Sequence, residues 1–170
     1  MENGPDPKRA EAAADRLSSP LSRDAGHLVH MPAHIYYRLG RWKDSIQVNL
    51  DAARQDEAYI RESNDKGFIR YGYYPHNVHF VVTSAQMGGD LPTAIREANK
   101  LATIVDADTA AQLPWVQAIY AAPFFATLQF APAAEVLAMP EPDPRLAYVQ
   151  GVRHYVRAVA YAQQLSLIHI

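Results

Sequence analysis

The 170-residue sequence contains no cysteine. This absence excludes disulfide bridges and every metal site that depends on thiolate ligands, and it leaves the cellular compartment open. An excess of basic charge is also missing, because 16 lysine and arginine side chains are balanced by 18 acidic ones. A chain with a net charge of −2 lacks the positive surface that nucleic acids require, so we expect no nucleic-acid partner.

Long apolar segments of the membrane-spanning kind are missing as well. One long stretch, between Asp108 and Glu135, carries no charge, but it contains Pro114, Pro123 and Pro132. Membrane-spanning helices rarely hold so many helix-breaking residues. We therefore expect a buried helix in this region and no membrane insertion.

Strand patterns are nearly absent, and helical patterns separated by glycine or proline fill the chain. They predict helices over residues 8–17, 26–39, 43–62, 75–88, 92–105, 114–130, 132–139 and 145–164. In the helix that begins near residue 43, we expect Ile46, Leu50 and Ala53 to share the buried face. The remaining length is expected in loops around residues 57–74 and 106–114. This alternation predicts an all-α fold, an α-solenoid of antiparallel helix pairs.

Two segments carry small residues at matching places: LGRWKDSIQVNLDAA, from Leu39, and MGGDLPTAIREANKLA, from Met87. Gly40 and Gly89 would each close the first helix of a pair, and small residues follow where the second helix packs. This pattern resembles the central half of a tetratricopeptide repeat. The resemblance implies that residues 1–164 form a single domain of such repeats, a right-handed superhelix with a concave surface.

The resemblance extends to HLVHMPAHIYYRLGRW and GYYPHNVHF, which are similar to stretches of large bacterial tetratricopeptide-repeat proteins. Chains of that group continue at both ends, which implies a fragment whose compartment is the bacterial cytoplasm or periplasm. The last six residues, 165–170, look like a translated sequencing adapter. We therefore treat this segment as a non-native tail.

Five histidines form two clusters at helical spacing, three near residue 30 and two near residue 78. Spacings of i, i+3, i+7 in the first cluster and i, i+3 in the second place the members of each on one helix face. In the register of a tetratricopeptide repeat, that face lines the concave groove. The predicted groove residues are His27, His30, His34, Tyr37, Arg38, His76, Asn77 and His79.

Three interpretations of these histidines stay open. They can hydrogen-bond neighbouring polar groups and simply pack the helices together. They can contact a protein or peptide partner, which is the function we expect, that of a binding scaffold. The alternative is a zinc-type metal-dependent enzyme or metal-binding domain, with ligands from His30, His34, His76 and His79. No catalytic residue and no other cofactor are predicted, because there is no HExxH motif and no glutamate beside either pair.

Pro32 falls inside the first histidine-bearing helix. A proline there removes one backbone hydrogen bond and deprives the carbonyl of Leu28 of its usual donor. We expect the helix to continue from Gly26 and to bend at Pro32, beside His30.

Overall fold

The computed structural model describes residues 4–18 and 26–166, and every regular element within them is helical. This result confirms the prediction of an all-α fold. The α-helices are α1 (Glu11–Leu17), α2 (Gly26–His30), α3 (Pro32–Arg38), α4 (Trp42–Ser63), α5 (Tyr74–Gly88), α6 (Leu91–Ile104), α7 (Ala107–Gln112), α8 (Val116–Phe130), α9 (Ala133–Ala138) and α10 (Ala147–Ser166). A 3₁₀ turn at Pro7–Ala10 precedes α1, and a π-helical turn at Ile69–Tyr73 leads into α5.

Each long helix packs against the next one along the chain: α4 against α5, α5 against α6, α6 against α8, and α8 against α10. Further contacts join helices that are not consecutive: α1 packs on α3, α2 on α4, and α5 on α8. The core between α4, α5, α6 and α8 holds Ala53, Val78, Val82, Leu101 and Ala126. Burial of these apolar side chains is the main force that holds the helices together.

The first histidine-bearing segment is divided at Pro32 into two short helices, whereas the sequence predicts one helix that continues from Gly26 and bends there. α2 ends at His30, α3 begins at Pro32, and Met31 between them keeps helical dihedral angles of −53° and −36°. The Met31 amide still donates to the carbonyl of His27 at 3.2 Å. The backbone therefore stays helical through Met31, while the proline interrupts the hydrogen-bond ladder.

Two predicted loops contain helical segments that the sequence does not predict. In the region 57–74, α4 ends at Ser63, close to its predicted end at residue 62, and Asn64 turns left-handed with a φ of 52°, but the π-helical turn Ile69–Tyr73 occupies the predicted loop. In the region 106–114, Asp106 accepts hydrogen bonds from the Thr109 amide at 2.7 Å and from its hydroxyl at 2.8 Å, which caps α7. Such an N-cap satisfies amides that a helix start leaves without partners, so six residues there suffice for a helix.

The predicted buried face of α4 is correct only in part. Ala53 is buried as predicted, but Ile46 and Leu50 are only partly buried, whereas Ser45, Val48 and Asn49 lie in the interior. The true buried face is rotated by about one residue toward polar side chains, which a purely apolar periodicity cannot locate.

No helix of the described residues combines the length and the apolar composition needed to cross a bilayer. Of the predicted non-native tail, residues 167–170 lie outside the described part of the chain.

Two glycines with open space around them provide opposite tests of the backbone. Gly89 has a φ of +70° and Gly151 lies within α10, and a Cβ at either position would meet nothing within 4 Å. Gly89→Ala should destabilise the fold by about 1–2 kcal/mol through left-handed strain, whereas Gly151→Ala should stabilise it by about 0.5–1 kcal/mol. Urea unfolding measures the free energy of unfolding of each variant. Equal effects of the two substitutions would contradict the left-handed conformation of Gly89.

Candidate metal centre

Three imidazoles from three helices meet at one point. His30 is the last residue of α2, His34 lies in α3, and His76 lies in the first turn of α5. The Nε2 atom of His30 is 2.8 Å from that of His34 and 3.1 Å from that of His76. All three residues offer a ligand atom within 4.8 Å of the others. The predicted convergence of the two clusters is therefore present, with one member of the second cluster.

Local sequence explains the approach of these side chains. His30 and His34 are four residues apart, which places them one above the other on a helix face. Pro75 is the second residue of α5, a position where a missing amide is tolerated, and His76 follows it in the first turn. Because α2 and α5 both pack on α4, the two helix segments are held side by side.

Asn49 of α4 fixes the protonation of His30. The Asn49 amide nitrogen donates to the carbonyl of Ser45 at 2.7 Å, so its oxygen faces the Nδ1 atom of His30 at 2.6 Å. An oxygen can only accept, and Nδ1 must therefore carry the proton. In the neutral imidazole, this tautomer leaves a lone pair on Nε2, the atom that faces His34 and His76. Metal-bound histidines are oriented in the same manner, by a hydrogen bond from the other ring nitrogen.

Burial keeps the imidazoles of His30 and His76 neutral. The pKa of His30 is lowered to about 3, mainly because the ring is buried, and the nearby rings of His76 and His34 lower it further. The pKa of His76 is lowered to about 4, again chiefly by burial and then by neighbouring imidazoles. Neutral imidazole is the form that coordinates metal ions, so both side chains are ready to bind at neutral pH.

The contacts around His30 suit a cation better than a set of hydrogen bonds. Its Nε2 atom has one lone pair, yet two other nitrogens lie within 3.1 Å. A tetrahedral zinc ion, with Zn–N bonds of about 2.0–2.1 Å, spaces its nitrogen ligands by about 3.3 Å. Small rotations of the side chains would open the two observed distances to that value and leave room for one ion between the three rings.

Phe80, one turn after His76 in α5, closes one side of the cluster. Its ring centroid lies 4.9 Å from that of His30, 4.7 Å from that of His34 and 5.1 Å from that of His76. Each pair meets edge to face. An apolar wall of this kind excludes water and holds the rings in place, which controls the polarity around a bound ion.

Two predicted histidines have other surroundings. His27 stacks on Tyr73 with ring centroids 4.2 Å apart, and its Nδ1 atom is buried without a hydrogen-bond partner among the described residues. His79 is not in the group of converging ligand atoms. Burial lowers the pKa of His79 to about 4.

The other predicted groove residues differ widely in exposure. Asn77 is fully buried and donates to the carboxylate of Asp56 at 2.7 Å. Tyr37 is partly buried and packs edge to face against Trp42. Arg38 is exposed, and its guanidinium donates to the carbonyl of Gly4 at 2.9 Å. The structure thus gathers His30, His34 and His76 and leaves the rest of the predicted set around them.

Asn49 and Phe80 are the residues of this site that the sequence does not reveal. Asn49 resembles an ordinary polar residue of a surface helix. Phe80 follows His76 by four residues, a spacing that places both on one face of α5. This spacing is the only feature of the sequence that points to Phe80, and no feature points to Asn49.

Protein-family models, curated sequences and solved structures were each compared with this chain, and none matches. The assignment of the site therefore depends on the geometry of the chain itself. Membership of the tetratricopeptide-repeat group stays a prediction.

Acid should destabilise the metal-free protein. His30 and His76 have folded-state pKa values of about 3 and 4, below the ordinary value of 6.5. Between those limits the unfolded chain binds more protons, so the free energy of unfolding should fall as the pH is lowered from 7 to 4.5. His79 acts in the same direction. Urea unfolding in the presence of EDTA measures the change.

Protonation of Asp56 should change the free energy of unfolding in the opposite direction to protonation of the histidines, which provides a control. Burial raises its pKa from 3.8 to about 6, so its protonation on acidification stabilises the folded state. Asp56→Asn removes this opposing contribution and should make the loss of stability with acid steeper. A free energy of unfolding that stays level between pH 7 and 4.5 would show that these histidines are not held neutral.

Proposed function

We propose that this chain binds one divalent transition-metal ion of the zinc class through the Nε2 atoms of His30, His34 and His76. One observation carries the proposal: the lone pair of His30, fixed by the hydrogen bond to Asn49, faces two further imidazole nitrogens. Nitrogen ligands of this type suit zinc, copper, nickel and cobalt ions, and disfavour magnesium and calcium.

Three protein ligands leave at least one coordination position for water or another ligand. That number is typical of catalytic rather than structural zinc sites, which hold the ion with four protein ligands. The group of ligand atoms contains three histidines and no carboxylate that would serve as a general base. Metal binding is therefore the function proposed here, with exchange of the remaining ligand as its chemical property.

We also infer that the helices form a superhelix of the tetratricopeptide type. Equivalent features recur at an interval of 49 residues, from Gly40 to Gly89. The two glycines have φ values of +74° and +70°. The amides that follow them donate to carbonyls five residues earlier, Arg41 to Tyr36 and Asp90 to Ala85, each at 2.9 Å. Recurrence of one helix ending in two places supports a repeated helix pair.

Fully buried residues recur at the same interval and add to this support. Ser45 and Ala94 follow the two glycines by five residues, and Ala52 and Leu101 follow them by twelve. All four side chains have 0% exposure. Equal burial at equivalent positions supports the inference of two successive helix pairs, since repeat proteins pack in this way.

The protein or peptide partner expected from the sequence stays a prediction. Two of its proposed donors, His30 and Asn77, are fully buried and hydrogen-bonded to other side chains. Tyr37 and His34 are partly exposed, and Arg38 is exposed. A partner at this face would reach those side chains first.

Metal binding is tested by titrating Co²⁺ or Zn²⁺ into EDTA-treated protein. We expect one ion per chain, a Co²⁺ absorption spectrum of low coordination number, and a higher melting temperature because only the folded state holds the site. His30→Ala and His76→Ala should each abolish binding at micromolar metal. His79→Ala is the matched control, three residues from His76 on α5 and outside the ligand group, and it should bind normally.

Binding that is equal in all three variants would place the ion elsewhere and overturn the proposal. Circular dichroism of each variant must show retained helix, so that a loss of binding reports on the ligands rather than on folding.

The hydrogen bond of Asn49 is tested separately. Asn49→Leu keeps the approximate volume but removes the acceptor of His30, and it should weaken metal affinity by about 10–100-fold. Asn99→Leu, at an exposed asparagine of α6, should change affinity little. An unchanged affinity in Asn49→Leu would show that the ring of His30 is oriented without this hydrogen bond.

A further inference from the structure

A half-open cavity lies away from the histidines, between α6, α8 and the segment 131–142. Its volume is about 350 Å³, and none of its lining residues belongs to α2, α3 or α5. Small-molecule sites commonly enclose about 300–1,000 Å³. The cavity therefore has room for one small ligand, in a part of the chain separate from the candidate metal centre.

Most of the cavity wall is apolar or aromatic. α6 and the residue after it contribute aliphatic side chains, α8 contributes two rings, and the segment after α9 contributes methionine and prolines. The main apolar lining consists of Ile95, Val105, Tyr120, Phe124, Met139 and Pro142. A wall of this composition favours the apolar body of a ligand, and the two rings offer faces for stacking or for a cation.

The wall after α8 is held by contacts with α10. The Gln150 amide donates to the carbonyl of Pro142 at 2.7 Å, and the Arg157 guanidinium donates to the carbonyl of Leu137 at 2.7 Å. Proline also restricts the backbone of this segment. The cavity is thus formed before a ligand arrives, which lowers the entropy cost of binding.

The charged residues that line the cavity are both acidic. Glu135 and Glu141 line it and are exposed, so they lie at its mouth. Among the described residues that line the cavity there is no lysine, arginine or histidine. Arg153 of α10, which does not line the cavity, lies 3.9 Å from the carboxylate of Glu141 and partly neutralises its negative charge. An apolar interior with carboxylates at its entrance selects a cationic group over an anionic one.

We propose that this cavity binds a small organic cation, an ammonium group carried by an apolar or aromatic body. The body lies between α6 and α8, against Tyr120 and Phe124. The ammonium group points outward to Glu135 and Glu141. An acid of the same shape is rejected by the two carboxylates, and a neutral alcohol loses the charge interaction.

The test compares three probes of similar shape by calorimetric titration: phenethylamine, phenethyl alcohol and hydrocinnamate. We expect the amine to bind about tenfold more tightly than the alcohol, since each exposed ion pair contributes about two- to fivefold. The acid should bind more weakly than either. Raising the salt concentration should weaken binding of the amine alone.

Three variants locate the site. The double variant Glu135→Gln and Glu141→Gln should bring the amine to the affinity of the alcohol. Ala102→Phe places a ring in the lining and should abolish binding of both probes. Glu62→Gln, an exposed glutamate of α4 outside the cavity, is the matched control and should change nothing.

Equal affinity for the three probes, or no binding of any, overturns the proposal. So does amine binding that persists in Ala102→Phe, because the ligand then occupies another place. Retained helical circular dichroism in each variant separates these outcomes from unfolding.

Discussion

The hydrogen bond between the Nδ1 atom of His30 and the side-chain oxygen of Asn49 determines the chemistry of the histidine cluster. It places the proton of His30 on the side away from His34 and His76. Were Asn49 rotated, its amide nitrogen would face His30, the proton would move to Nε2, and the lone pair would be lost to a metal. The carbonyl of Ser45 prevents that rotation, because it accepts from the Asn49 nitrogen. A backbone carbonyl of α4 thus sets the state of an imidazole on α2.

This hydrogen bond belongs to a polar stripe along the buried face of α4. Ser45 meets the hydroxyl of Ser84 at 2.7 Å, Asn49 meets His30, and Asp56 meets Asn77. Each buried polar group costs free energy unless its partner is in place. The stripe therefore adds little to net stability, but it penalises any sliding of α4 against α2 or α5. Positional accuracy of that kind is what three ligands from three helices require.

The prediction that the two histidine clusters approach each other is confirmed for His30, His34 and His76. The sequence supports it because helical spacing within each cluster is a local property. Three aspects escape it for physical reasons. The burial of Asn49 depends on how α4 rotates against its neighbours, and polar residues give no periodic signal for this. The choice of His76 over His79 depends on about 60° of helix rotation, which a spacing of three residues cannot resolve. The cavity beside α8 arises from the path of the proline-rich segment after α9, which no local pattern specifies.

The histidine cluster also joins segments that are far apart in the sequence. His30 and His76 are separated by 46 residues, so their approach is a long-range contact that the folding chain must order against its entropy. In the proposed function, a bound ion would add three coordination bonds to the folded state alone, and its binding free energy would become folding free energy. The three imidazoles that hold the ion would then also fasten α2 and α3 to α5.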